Sequence, residues 1–274
     1  MANMTTTTTA NFIPEIWSDE VVATYKANLV AANLVRGLNH QGKKGDSIHI
    51  PNPARNAANA KTAGSDVTAI TDTAADIVVS IDQHFEWSMY IEDIASLQAI
   101  SSLRKFYTDD AGFALADKVD TTVLTELKSS ATNDLTGCTD TGWDTTILSG
   151  VEALNDNNAP MNGRALMVSP ATYSKLLAEP RFSEQAKLGT GTAISTGKVG
   201  SIYGVDVYVS TNVGGSGVEN AVMFQKDAAV LATQQSVRSQ TQYKQEKLAD
   251  LFTADTVFGV KLVRAGSVVQ MTGA

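Results

Sequence analysis

Three histidines, one cysteine and a glycine-rich octapeptide are the features of this chain whose residue types could do chemistry. His40, His49 and His84 each lack a second ligand three or four residues on, so the spacing of a zinc site is missing. His84 falls among polar neighbours and reads as a solvated or contact residue. Cys138 lies in a polar segment with no histidine nearby, which fits an idle thiol better than a nucleophile. The run Gly191–Lys198, GTAISTGK, resembles a phosphate-cradling loop only in outline. Such a loop needs four residues between its first glycine and the Gly-Lys pair, then Ser or Thr. Here Thr192–Thr196 intervene and Val199 follows the lysine, so the run reads as a flexible loop. The acidic pairs Asp109–Asp110 and Glu92–Asp93 suit exposed faces, and nothing in their spacing implies a cleft. The expectation is no catalytic residue, no cofactor and no metal.

Composition narrows the classes further. The 274 residues are 43% apolar and 18% charged, an ordinary folded composition rather than a disordered one. One cysteine excludes an internal disulfide and fits a reducing compartment. The first lysine is Lys26, so no basic segment precedes an apolar run as in a secretory signal. No stretch approaches the roughly 20 apolar residues that span a bilayer, and a soluble protein without membrane contact is expected. A net charge of −8 argues against a broad duplex-binding face, though not against a wall that merely faces DNA.

The elements that would position any site follow from periodicity. Residues 1–11 are Thr-rich and read as a mobile tail. Phe12, Ile13, Pro14, Ile16 and Trp17 put large apolar groups on a short extended segment, and Ser18 to Arg36 carries a helical stripe ended by Gly37. From Ile77 to Ile91 seven of eight odd positions are apolar, a period of two. That predicts one strand of roughly 50 Å, paired with Ser47–Pro51 across the polar segment Asn52–Asp76. An isolated two-stranded ribbon is marginal in water, so such an arm needs something to lie on. Helical spacing then runs from about Ser96 to Lys128, with Gly112 as a bend or close packing point.

Ala131–Gly142 is polar and reads as a boundary, followed by alternating helices and strands. The expected elements are a helix from Trp143 to Leu154, a strand Ala165–Val168 and a helix capped by Ser169 with Pro170 at its first position. Strands at Val205–Val209 and Ala221–Phe224 come next, then a short helix near Asp227–Thr233. Ser236–Lys247 and Thr256–Val269 return to strand-like patterns that should close against the long helix.

In this order the strings FIPEIWSDEV, KGDSIHIP, HFEWSMYIEDIASLQ, MVSPATYSKLLAEPRF, GSIYGVDVYVS and FGVKLVRAGSVV resemble the Hong Kong 97-type capsid proteins of tailed phages. The resemblance runs through nearly the whole chain. It implies an α+β fold with an N-terminal arm (1–40), an extended β-hairpin loop (41–88), a long spine helix in a peripheral domain (89–130 and 236–274) and an inserted axial α/β domain (131–235). It further implies hexamers and pentamers of an icosahedral shell around packaged double-stranded DNA. A separate scaffolding protein, a portal protein and, optionally, a decoration protein are the implied partners, with assembly in the bacterial cytoplasm. Phe12, Ile13 and Trp17 are expected to anchor on another subunit, because aromatic and aliphatic groups at a mobile end are typical contacts. Arg55, Lys61, Asp66 and Asp72 in the hairpin tip are the other contact candidates. An encapsulin-type compartment shares the fold and is the alternative; a two-domain α/β enzyme is the rival from another class.

Overall fold

The computed structural model describes residues 30–42, 44–52, 57–67, 69–70, 75–92, 102–138, 142–178, 200–214 and 219–273. In chain order these form α1 (Ala31–Leu34), β1 (Arg36–Asn39), β2 (Ser47–Asn52), β3 (Ala75–Ser80), β4 (Gln83–Glu92) and the long helix α2 (Ser102–Ser129). There follow β5 (Asn133–Cys138), α3 (Trp143–Asp156), β6 (Arg164–Val168), α4 (Pro170–Ala178), β7 (Ser201–Ile202), β8 (Val205–Val209) and β9 (Asn220–Gln225). Two long strands, β10 (Ala229–Lys244) and β11 (Ala249–Leu262), precede the terminal β12 (Val268–Gly273).

Strand pairing sorts them into three sheets. One has the order β1-β10-β11-β4, the second β5-β12-β9-β6-β8-β7, and the third is the ribbon β2-β3. The six-stranded sheet is covered on both faces. Leu166, Val168, Ala221, Met223, Val269 and Met271 pack with Trp143, Ile147 and Leu154 of α3 and Leu176 of α4. The opposite side chains, Ala165, Met167, Val222, Phe224 and Val268, pack with Val123, Leu124 and Leu127 of α2 and with Ala31 and Val35. All five residues of β6 are buried, as a strand between two helical layers requires. Helix α2 thus joins two cores, because its earlier turns place Ala111 and Leu115 against Phe252 and Ala254 of β11. Phe224 is fully buried in the core between α2 and the six-stranded sheet. Phe224→Ala is expected to cost about 3–5 kcal/mol, a large share of a typical domain's stability, read by urea denaturation.

Five sequence readings change. The alternation from Ile77 to Ile91 persists, and β4 alternates half-buried and exposed residues throughout. The strand nevertheless breaks at Ile81–Asp82: β3 pairs with β2, whereas β4 pairs with β11. The paired part of the ribbon is therefore six residues long on each strand, not a continuous strand of roughly 50 Å. The supposed boundary 131–142 contains β5, which carries Cys138 at its end. Residues 229–233 continue β10, preceded only by a 3-10 turn at Lys226–Ala228, where a helix is expected. The terminal β12 joins the six-stranded sheet between β5 and β9 instead of the long strands. Gly112 is no close packing point, since a Cβ there would meet nothing within 4 Å. The helix predicted at 18–36 and the loop at 189–200 fall almost wholly outside the described residues; of the former, only α1 and the start of β1 are seen.

Candidate assembly surfaces

The ribbon leaves the body at a crowded crossing. Val79 and Ile81 are buried against Val230 and Ala232, with Leu38, Ile48 and Ile50 completing the cluster. The Ile81 N–H donates to the Asp46 carbonyl at 2.8 Å, closing the base of the ribbon. Beneath the base, β11 carries Gly259 at the point where the Ser80–Ile81 backbone passes over it. Beside the crossing, a cleft of about 300 Å³ is lined by Ser80, Asp82, Gln83, Thr122, Glu126 and Lys261, among others. Glu126 in that cleft is held by Lys261 at 3.6 Å and accepts the Leu262 N–H at 3.3 Å. These bonds occupy its carboxylate in fastening α2 to β11.

Beyond its paired residues, the described residues of the ribbon, 57–67 and 69–70, are all exposed. His49 is bonded to Asp76 across the strands, and both side chains are more than half exposed. Lys61 and Asp66 sit in the exposed tip, where the Ser65 hydroxyl donates to the Thr62 carbonyl at 2.9 Å and Lys61 Nζ reaches the same carbonyl at 3.2 Å. The sequence reading of this segment as polar and poor in large apolar groups did not single out Val67 and Ile70, which are 81% and 49% exposed. Two branched apolar residues within four positions of a polar loop were the available signal. Phe12, Ile13, Trp17, Arg55 and Asp72 lie outside the described residues, so only Lys61 and Asp66 of the expected contact set are seen together.

A second exposed region forms the far end of the four-stranded sheet. Tyr90, Tyr243 and Leu248 are exposed there, and Lys247 Nζ lies 3.9 Å above the Tyr90 ring. Further in, Arg238 donates two hydrogen bonds to Asp255, at 3.1 and 2.9 Å, and His84 Nε2 stands 3.4 Å from the same carboxylate. The pairing register of β10 with β11 shifts between Thr233 and Arg238, which aims Arg238 at Asp255. The Arg238 guanidinium holds the Asp255 carboxyl below its ordinary value; burial opposes this and His84 assists it. A lowered carboxyl stabilises the fold above its ordinary value, and that contribution is lost as pH falls through the lowered one. Arg238→Gln is therefore expected to move the acid-unfolding midpoint to higher pH in a circular-dichroism titration. An unmoved midpoint would show that the pair contributes nothing.

Among the described residues, no three His, Cys, Asp or Glu side chains converge to hold a metal, and no helix is long and apolar enough to cross a membrane. What the molecule presents is a thin ribbon, a polar sheet face and exposed apolar residues at element ends.

Comparison with known proteins gives this arrangement its class. A family model described as phage capsid protein matches residues 87–269, more than half of the chain. A solved structure from Mycobacterium phage Che8 is similar at 27% identity, covering 96% of this chain and 99% of its own, with a TM-score of 0.85. The capsid structure of cyanophage P-SCSP1u is similar at 16% identity, covering 96% and 94%, with a TM-score of 0.82. The mature capsid of bacteriophage PhiM1 gives 12% identity, 96% and 92% coverage and a TM-score of 0.77. No curated protein sequence matches. The chain belongs to the phage capsid protein family and has the Hong Kong 97-like fold of tailed-phage capsids. It is a structural protein, with the role of a major capsid protein.

Proposed function

We propose that copies of this chain assemble as hexamers and pentamers into the icosahedral shell of a tailed phage, enclosing packaged double-stranded DNA. The observation that carries this reading is the tip between β2 and β3, whose described residues 57–67 and 69–70 are all exposed on this subunit and so have a surface to gain from a neighbour. In this reading residues 1–40 are the N-terminal arm, 41–88 the extended hairpin loop, 89–130 and 236–274 the peripheral domain and 131–235 the axial domain. β12 is hydrogen-bonded into the six-stranded sheet, whose other strands fall within 131–235, so in this reading the two domains share that sheet. Phe12, Ile13 and Trp17 dock on one neighbour, while Arg55, Lys61, Asp66 and Asp72 of the tip contact another. A separate scaffolding protein directs assembly in the host cytoplasm, a portal admits the DNA, and a decoration protein has the outer surface open to it. The net charge of −8 suits a wall that encloses DNA without adhering to it.

The test is particle size. Produced together with its scaffolding protein, the chain should sediment as megadalton shells that electron microscopy resolves as closed particles. A stable species of 29.0 kDa under the same conditions would overturn the proposal.

A further inference from the structure

One carboxylate of α2 lies where a charge is costly. Asp120 is 1% exposed, and its Oδ2 has no hydrogen-bond partner among the described residues. Its Oδ1 accepts the backbone N–H of Ala32 at 3.3 Å, a bond between residues 88 positions apart. Ala31 and Val35, on either side of that contact, are buried against Val123, Leu124 and Leu127 of the same helix. The start of α1 is thus tied to the long helix by this apolar packing and by the bond to Asp120.

The neighbours of Asp120 do not neutralise it. Residues 31–34 of α1 carry no ionisable side chain. From the 3-10 turn Thr211–Val213, Asn212 donates to Asp117 at 2.8 Å, and Asp117 is itself a like charge one turn before Asp120 on α2. Lys128 is engaged by the Val213 carbonyl at 2.6 Å, and Lys261 by Glu126. Lys118 faces the Phe85 ring of β4.

We propose that Asp120 is a proton-operated clamp that holds the root of the N-terminal segment against the long helix. The clamp closes with its carboxyl protonated and loosens when the carboxyl ionises. Burial pushes this carboxyl above its ordinary value and the charge of Asp117 adds to the push, while the Ala32, Ala31 and Asn212 bonds oppose it. A group raised in the closed form contributes most below its ordinary value, and the contribution is lost as pH rises through the raised one. Opening exposes Asp120 to water, so each opening event releases a proton more readily at higher pH. The clamp acts at Ala32, C-terminal in sequence to residues 12–17, which the shell reading assigns to a neighbouring subunit. Because it is an intrachain device it is read in the isolated subunit, and its failure would leave the shell reading untouched.

Hydrogen exchange on the full chain tests it. Amide protection at Ala31 and Ala32, corrected for intrinsic exchange, should fall as pH is raised from about 4 to about 8, across the range where a raised carboxyl ionises. Asp120→Asn keeps an oxygen acceptor but cannot ionise, and its protection should stay level over that range. Asp117→Asn removes the like charge that adds to the push on Asp120, so the loss of protection should begin at lower pH. That displacement supports the clamp, because it requires Asp120 to be the titrating group, and a displacement to higher pH would overturn it. Protection independent of pH in the natural chain would overturn it. So would an Asp120→Asn chain that retains the natural pH dependence, and should that variant fail to fold, an Asp117→Asn profile identical to the natural one does the same.

Discussion

Gly259→Ala is expected to destabilise the fold by about 1–3 kcal/mol or more and to loosen the base of the ribbon, the cost of forcing an extra carbon into a packed crossing. A Cβ at this position would stand 2.9 Å from the Ser80 carbonyl carbon, 3.0 Å from Ile81 Cα and closer still to the Ser80 oxygen. All three are backbone atoms, so no rotamer change can make room. The backbone at Gly259 does not have a positive φ, and the effect is therefore steric and not conformational. If the crossing yields, Val79 and Ile81 must leave Val230 and Ala232, and the ribbon loses its seat. Thermal denaturation should show a lowered midpoint, and exchange at Ile81 should rise because its bond to Asp46 is strained. Gly112→Ala is the control, since its methyl meets nothing within 4 Å. Equal behaviour of the two variants would refute the account.

Deletion of Ala54–Ala75 should have the opposite profile: a subunit that folds with nearly natural stability yet forms no shells. The removed residues include no buried side chain among those described, so little core is lost. Pro51 pairs with Asp76, so the cut ends lie close together and Asn52–Pro53 can bridge them. What disappears is the tip, with Lys61, Asp66 and the exposed Val67 and Ile70. Circular dichroism checks the fold and negative-stain electron microscopy the particles. Normal shells from the deleted chain would remove the tip from the assembly mechanism.

Much of the local structure was legible from residue order. The cap of α4 is an example: Ser169 Oγ accepts the Thr172 N–H at 3.3 Å, as the Ser-Pro start implies. The helical stripe of α2 and the alternation through β4 were equally readable, because burial on one face writes its period directly into the chain. The candidate contact residues were legible only as a family resemblance and as exposed charge in a polar loop. Val67 and Ile70 were missed because two apolar residues carry no period.

By itself, then, the residue pattern determined the long helix, most of the strands and the buried side of β4, but neither β5 nor the start of β10. It also carried the family likeness, through the order of its segments. The pairing of β2 with β3 was legible as well, but only the tertiary structure decided the neighbours of the other strands. Period two is the same on both sides of Ile81, yet the chain changes partners there, from β2 to β11. The same holds for β12, whose apolar residues fit either sheet and which is placed by parallel pairing with β5, more than a hundred residues earlier. Side-chain alternation reports that a face is covered but carries no label for what covers it. That choice is made by long-range packing, here by a glycine that lets two backbones cross and a helix long enough to serve two cores.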